Sequence, residues 1–288
     1  MTPDHPIPPL EAAELAHVLR WYADMGVDAA VDEVPHDRFA ESAAVTRQSQ
    51  APHASAPIGA AQAVSAHAVA PARSTPASVT ASAQDAVLSA QDLAAGAKTL
   101  DALRAVLESF DGCGLKKTAT QLCFADGNPQ AKLMFVGEAP GADEDRQGKP
   151  FVGRAGQLLN RMVAAIGLAR EDVYIANVVP WRPPGNRTPT PQETAICLPF
   201  VLRQIALVNP DIVMCLGGAS AQTLLALKDG ITKTRGRWHK LRIGGGDLPE
   251  REIAVMPTLH PAYLLRTPAH KRLAWQDFRA VAKALSGA

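Results

Sequence analysis

Four short apolar runs, at residues 132–136, 173–179, 212–216 and 253–256, are separated by segments of helical periodicity. None of the runs alternates polar with apolar residues, so each must be covered on both faces. This pattern predicts an α/β fold, a three-layer α/β/α sandwich around a mainly parallel four-stranded sheet. Helices are expected at 100–110, 155–166, 192–207, 219–227 and 269–285. In an open sheet of this kind ligands bind beyond the carboxyl ends of the strands. Glu138, Asn177, Gly217 and His260 all fall just past such ends. Four separate segments are therefore expected to supply one pocket.

Composition divides the chain differently. Residues 43–84 contain 15 alanines, no aromatic residue and only Arg47 and Arg73 as charges, interrupted by Pro, Ser and Gly. Such a stretch buries too little area to anchor a fold and is read, out to residue 92, as a disordered linker. Before it, residues 1–42 hold one amphipathic segment at 10–25, expected to dock on the folded part or to contact a partner. Residues 93–288 remain as the catalytic domain. The net charge of +1 conceals a split at residue 92, net −7 before it and +8 after it. The basic part suits a polyanion, although many enzyme surfaces share that surplus. The chain carries neither a signal peptide nor an apolar run of membrane length, so a cytoplasmic monomer is expected, with Cys113, Cys123, Cys197 and Cys215 as thiols.

Three segments concentrate the chemistry. Gly137-Glu138-Ala139-Pro140-Gly141 leads into Pro150-Phe151-Val152-Gly153-Arg154-Ala155-Gly156. Its glycines do not have the dinucleotide spacing, and no Lys-Ser/Thr follows to make a triphosphate loop. Gly153 and Gly156 could instead let backbone N–H groups approach a phosphate. Phe151 is either a stacking surface for a planar ligand or a buried loop anchor. In the second segment Asn177 offers one acceptor and two donors to a base edge, or caps the turn. Arg182 and Arg187 bracket a rigid Pro183-Pro184-Gly185 turn, as solvated charges or as phosphate contacts. The third is His260-Pro261-Ala262-Tyr263-Leu264-Leu265-Arg266. A lone histidine is usually structural, but this one stands at the sheet edge. Leu264 and Leu265 begin a core turn or supply an apolar wedge for DNA, with Arg266 beside it.

The ordered set GEAPGADEDRQGKPFVGRAGQLLN (137–160), NVVPWRPPGNRTPT (177–190), LPFVLRQIALVNPDIVMCLGG (198–218) and HPAYLLR (260–266) resembles the uracil-DNA glycosylase superfamily, family 4 type. The resemblance covers about residues 93–288. It implies a monofunctional glycosylase that removes uracil from DNA in base excision repair. Glu138 would lie beside the flipped nucleotide, Phe151 would stack on uracil and Asn177 would read the pyrimidine edge. His260 would stabilise the departing base through its O2, and Gly137, Ala139, Pro140 and Gly141 would complete the base pocket. Arg154, Gly156, Arg182, Arg187, Gly217, Ser220, Leu264 and Arg266 are the expected DNA contacts, Leu264 filling the space the base leaves. Uracil-containing DNA is the implied partner. A repair protein could engage the N-terminal segment.

The departures matter too. Many family 4 enzymes hold a four-iron, four-sulfur cluster on four cysteines. Cys113 and Cys197 match two of the positions, but Phe110 and Val213 occupy the others. Neither side chain can ligate iron, and Cys123 and Cys215 are offset from the expected places, so no cofactor is expected and the cluster is disfavoured. Ala139 and Gly141 stand where the best-known uracil-specific branch has an aspartate and a tyrosine, which predicts a pocket open to some other altered bases. Two other classes remain open to experiment, a uracil-DNA binding module without turnover and a small-molecule nucleoside hydrolase.

Overall fold

The structure, a computed structural model, describes residues 77–245 and 247–287. The chain divides into two units, residues 1–71 and 72–288. The amphipathic segment at 10–25 and most of the alanine-rich stretch lie outside the described residues. The second unit runs α1 (Ala77–Gly96), α2 (Leu100–Ser109), β1 (Asp126–Gly127), β2 (Leu133–Gly137), α3 (Ala142–Gln147), α4 (Arg154–Ala164) and β3 (Tyr174–Asn177). It continues with α5 (Pro191–Val208), β4 (Ile212–Leu216), α6 (Gly218–Leu225), α7 (Ile231–Thr234), β5 (His239–Gly245), β6 (Leu248–Thr258), α8 (Pro261–Arg266) and α9 (Lys271–Leu285).

The sheet order is β1-β3-β2-β4-β6-β5. The four expected strands form its parallel centre, with β2 between β3 and β4, and β6 beyond β4. The expected four-stranded sheet is therefore corrected to a mixed sheet of six. β1 and β5 pair antiparallel at its two edges. β5 was hidden because an edge hairpin needs only one apolar face. Its Lys240 pairs across the hairpin with Glu252 at 2.8 Å in water, whereas the inner half of β6 is buried.

Side-chain alternation builds the two layers. Met134, Val136, Tyr174, Ala176, Val213 and Cys215 face a core shared with α1, α2, α5 and α6. Leu133, Phe135, Ile175, Ile212 and Met214 face the other side, against Leu159 and Val163 of α4 and Phe278 and Val281 of α9. Local signals set the helix ends. Thr190 and Glu193 form a capping box around Pro191 at the start of α5, and Asn209, in the left-handed region, ends it.

The stretch read as linker out to residue 92 overlaps α1, which begins at Ala77, so helix starts earlier than the composition suggested. The alanines that cannot build a core alone serve here as a close-packing face. Ala90 and Ala94 are 0% and 2% exposed in the core they share with α5. Replacing Ala90 with Leu is expected to overpack this face and to lower stability by about 1–3 kcal/mol. Leu88→Ala, at a position 58% exposed, should change it by less than about 0.5 kcal/mol. Urea unfolding of the two variants checks the docking of α1; equal and small effects would contradict it.

Candidate active site

The parallel register brings the expected segments to one edge. Gly137 and Asn177 are cross-strand partners, as are Leu216 and Thr258. The pairing continues past the strand ends: Val178 and Val179 N–H donate to the Gly137 and Glu138 carbonyls at 3.0 Å each, and Gly217 N–H donates to Thr258 O at 2.9 Å. Beyond these ends opens a cavity of about 550 Å³ whose walls include Glu138, Phe151, Asn177, Gly217 and His260.

Phe151 has φ +53°, a left-handed conformation rare for a bulky residue. Two side chains that the sequence reading overlooked hold it there. Arg170 donates from Nη1 to Phe151 O at 3.0 Å and from Nη2 to Pro150 O at 2.6 Å, while its Nε donates to Asp126 Oδ2 at 2.7 Å. On the other side Glu144 Oε1 accepts from the N–H groups of Val152 and Gly153, each at 2.9 Å, and Oε2 accepts from Gly141 N–H at 3.2 Å. The carbonyls before the ring and the amides after it are thus fixed by opposite charges. The start of α4 crosses directly beneath. A Cβ on Gly156 would stand 1.8 Å from the Phe151 carbonyl oxygen, and one on Gly137 would stand 2.4 Å from Asn177 Oδ1 and 2.7 Å from the Phe151 ring. Both glycines shape the slot from behind, and Gly137 is not one of its walls. Glu144 could have been suspected from its position three residues after Gly141 at a helix start. Nothing near Arg170 in sequence points to Phe151.

His260 begins α8, and its Nδ1 accepts the Ala262 N–H at 3.1 Å. That bond leaves the proton of the neutral ring on Nε2. Burial pushes the imidazole down to about 4, and the nearby Arg266 charge pushes in the same direction. Protonating Nδ1 would also set a donor against the Ala262 donor. The ring lies 5.6 Å from that of Phe151, centroid to centroid. Asn177 is 4% exposed and its Oδ1 has no partner among the described residues; Glu138 Oε1 is likewise buried and unpartnered. Burial raises the Glu138 carboxyl above the ordinary range. The cavity therefore offers a planar aromatic wall, a neutral N–H donor, an unanswered amide oxygen and a carboxylate.

The expected DNA contacts divide. Arg266 lines the cavity, and Arg154 is exposed beside Ala155, which also lines it. Arg187 lines it but forms a two-pronged ion pair with Glu193 at 2.7 and 2.8 Å, which draws the Glu193 carboxyl down to about 2. Arg182 donates to Asn186 Oδ1 at 2.7 Å and lies 3.8 Å from the buried Asp145. Two of the expected contacts are buried in this structure. Leu264 is 0% exposed, because Pro261 and Leu264, three apart, form the inward face of α8. It packs with Leu259 and Ala274 and is no exposed wedge. Ser220 is also 0% exposed and its Oγ donates to Gly217 O at 3.2 Å, so it presents no hydroxyl to a phosphate.

The uracil DNA glycosylase superfamily pattern matches residues 124–279. A type-4 uracil-DNA glycosylase of Archaeoglobus fulgidus is 39% identical over 64% of this chain and 92% of its own length. The chain belongs to the uracil-DNA glycosylase superfamily, family 4 type. Type-4 uracil-DNA glycosylases of Thermotoga maritima and Saccharolobus solfataricus are 43% and 41% identical, covering 57% and 65% of this chain and 83% and 87% of theirs.

The iron–sulfur cluster implied by family 4 does not fit the residues present. Cys113 and Cys197 approach to 3.9 Å between sulfurs. The Phe110 ring instead packs edge-on against Phe200 at 5.0 Å and covers Gly112, where a Cβ would stand 2.4 Å from it. Val213 is 0% exposed in the same core. Cys215 is buried in the sheet, where desolvation pushes its thiol up to about 12, and burial raises Cys123 further. Both oppose the thiolate form that a metal requires. Among the described residues no three His, Cys, Asp or Glu groups converge as a metal site, and no helix is long and apolar enough to cross a membrane.

Anaerobic purification with iron and sulfide analysis should give far less than stoichiometric amounts of either. A full complement with a visible absorption band would contradict the donor geometry. Replacing Arg170 with Met should cost about 1–3 kcal/mol of stability through the orphaned carbonyls and Asp126. It should also shift the NMR resonances of the Phe151 ring. A variant of wild-type stability with an unmoved ring would show that Arg170 does not fix the loop.

Proposed function

We propose that this chain is a monofunctional DNA glycosylase that hydrolyses the N-glycosidic bond of uracil in DNA and leaves an abasic site, the first step of base excision repair. The observation that carries this reading is the buried Asn177 oxygen without a partner, in a cavity that also holds the Phe151 ring and the Nε2–H donor of His260. Uracil N3–H can satisfy that oxygen, and the amide NH₂ can donate to O4. Cytosine presents the reverse pattern at both atoms. The type-4 relatives, named for action on uracil-DNA, support the same substrate.

In the reaction, the bond between C1′ and N1 breaks and its electron pair leaves with the base. Water adds to C1′. Negative charge develops on the base at O2, where a preorganised neutral N–H donor stabilises it without having to lose a proton. The Glu138 carboxylate favours the oxocarbenium-like sugar or orients the water. The base must leave the helical stack to enter this slot. Gly141, small and lining the cavity, leaves room for some bases larger than uracil.

Alkaline cleavage of uracil-containing oligonucleotides after incubation tests the reading. Binding without an abasic product would leave a damage-sensing module, and efficient cleavage of free deoxyuridine would favour a nucleoside hydrolase. His260→Ala should lower the single-turnover rate by roughly 10²-fold. Because the imidazole is held neutral down to about 4, the rate should not fall as pH passes 6.5. The acid limb should instead follow protonation of Glu138, displaced upward from its ordinary range, and should vanish in Glu138→Gln. An acid limb near 6.5 that survives Glu138→Gln and disappears in His260→Asn would overturn these assignments.

A further inference from the structure

A second, smaller cavity of about 180 Å³ lies between α4, α8 and α9. Its floor is apolar, made by Leu264 and Phe278, both 0% exposed, with Leu158 and Met162 beside them. Trp275 forms its lip and is 41% exposed, one of few large apolar side chains left in water among the described residues. Arg161 and Lys271 stand at the rim. None of these groups takes part in the reaction described above.

The surroundings are one-sided in charge. α4 has no acidic residue and exposes Arg154 and Arg161. α9 exposes Lys271, Arg272, Arg279 and Lys283, and its single acid, Asp277, is 1% exposed and paired with Arg235. An exposed indole over an apolar floor, with Arg161 and Lys271 at the rim and no exposed carboxylate on α4 or α9, suits a planar base attached to a phosphate backbone. The cavity is also a neighbour of the catalytic one, lined from the same two helices. Ala155 of α4 and Tyr263 and Arg266 of α8 line the catalytic cavity, while Leu158 and Met162 of α4 and Leu264 of α8 line this one. Along α4 the separation of three to seven residues is about 5–10 Å. A stacked strand advances about 3.4 Å per nucleotide, so this spacing along α4 corresponds to about one to three nucleotides.

We infer that this cavity is a second base-binding site, which takes an unstacked nucleobase of the same DNA strand one to three nucleotides from the excised base. The inference rests on the proposed glycosylase reading and extends it to substrate form. A base paired in a duplex cannot enter, so the site favours single-stranded or locally opened DNA. Since nearly all of its lining is apolar, recognition there is by stacking and tolerates any base.

The test uses the full chain and single-stranded oligonucleotides with one uracil and a single base-free tetrahydrofuran residue placed at each flanking position in turn. In wild type, one placement within three nucleotides of uracil should raise the half-saturating concentration roughly 5- to 100-fold, with the maximal single-turnover rate unchanged. Trp275→Ala should raise it by a similar factor for the intact strand and abolish the further penalty at that placement, and Trp275→Phe should recover most of the loss. Lys271→Gln should lower the slope of log affinity against log salt by about one. In a duplex the placement effect should disappear. An unchanged half-saturating concentration in a stably folded Trp275→Ala variant would overturn the site, as would a loss of the same size at every placement. If wild type excises no uracil at all, the glycosylase reading fails instead. Anisotropy with a uracil-free pyrimidine strand then still reads the site by comparing wild type with Trp275→Ala.

Discussion

The backbone of Phe151, held at φ +53°, is the constraint on which the geometry of the catalytic cavity depends. Such a conformation in a bulky residue costs of order 1–3 kcal/mol and persists only where its surroundings over-determine it. Here two carbonyls are tied to Arg170 and two amides to Glu144, and charge-assisted bonds of this kind contribute about 1.5–3 kcal/mol each. Each anchor belongs to a different element. Arg170 is oriented by Asp126 on β1, Glu144 comes from α3, and Gly156 lets α4 pass beneath the carbonyl. An aromatic wall in a loop thereby has the fixity of one on a strand.

Against that wall the polar groups are arranged to be neutral or unanswered. A charged histidine near a polyanion would add affinity for any DNA, whereas a neutral donor at a developing anion acts only in the transition state. The N–H of Ala262 and the burial of the ring both keep His260 in that form. On the proposed reading, the lone oxygen of Asn177 would complete the discrimination: a wrong base edge would leave it desolvated and unpaired, which costs more than a missing attraction.

The central sheet was legible because strands buried on both faces read as continuous apolar runs, and the ends of those runs located Glu138, Asn177, Gly217 and His260. Edge strands were not, since β5 exposes Lys240 and Arg242 and carries no comparable run. Alanine composition pointed away from α1, because close packing against α5 depends on a partner face more than a hundred residues distant. The burial of Leu264 was hidden for a related reason. Its motif fixes a position in the chain, but the three-residue spacing with Pro261 decides which way the side chain turns. Arg170 was invisible, since its role lies in carbonyls 19 and 20 residues earlier.

Replacement of two thiol positions by Phe110 and Val213 alters how α2, α5 and β4 are joined. A cluster would couple folding to iron and thiolate supply. An edge-on aromatic pair and a fully buried valine join the same elements by packing alone, and this costs nothing when redox conditions change. The consequence reaches the catalytic cavity through α5. Its first turn carries Thr190 and Glu193, Glu193 fixes Arg187, and Arg187, Thr188 and Pro189 form one wall. One helix, α5, thus carries both the Phe200 contact with Phe110 and the first turn that holds Arg187.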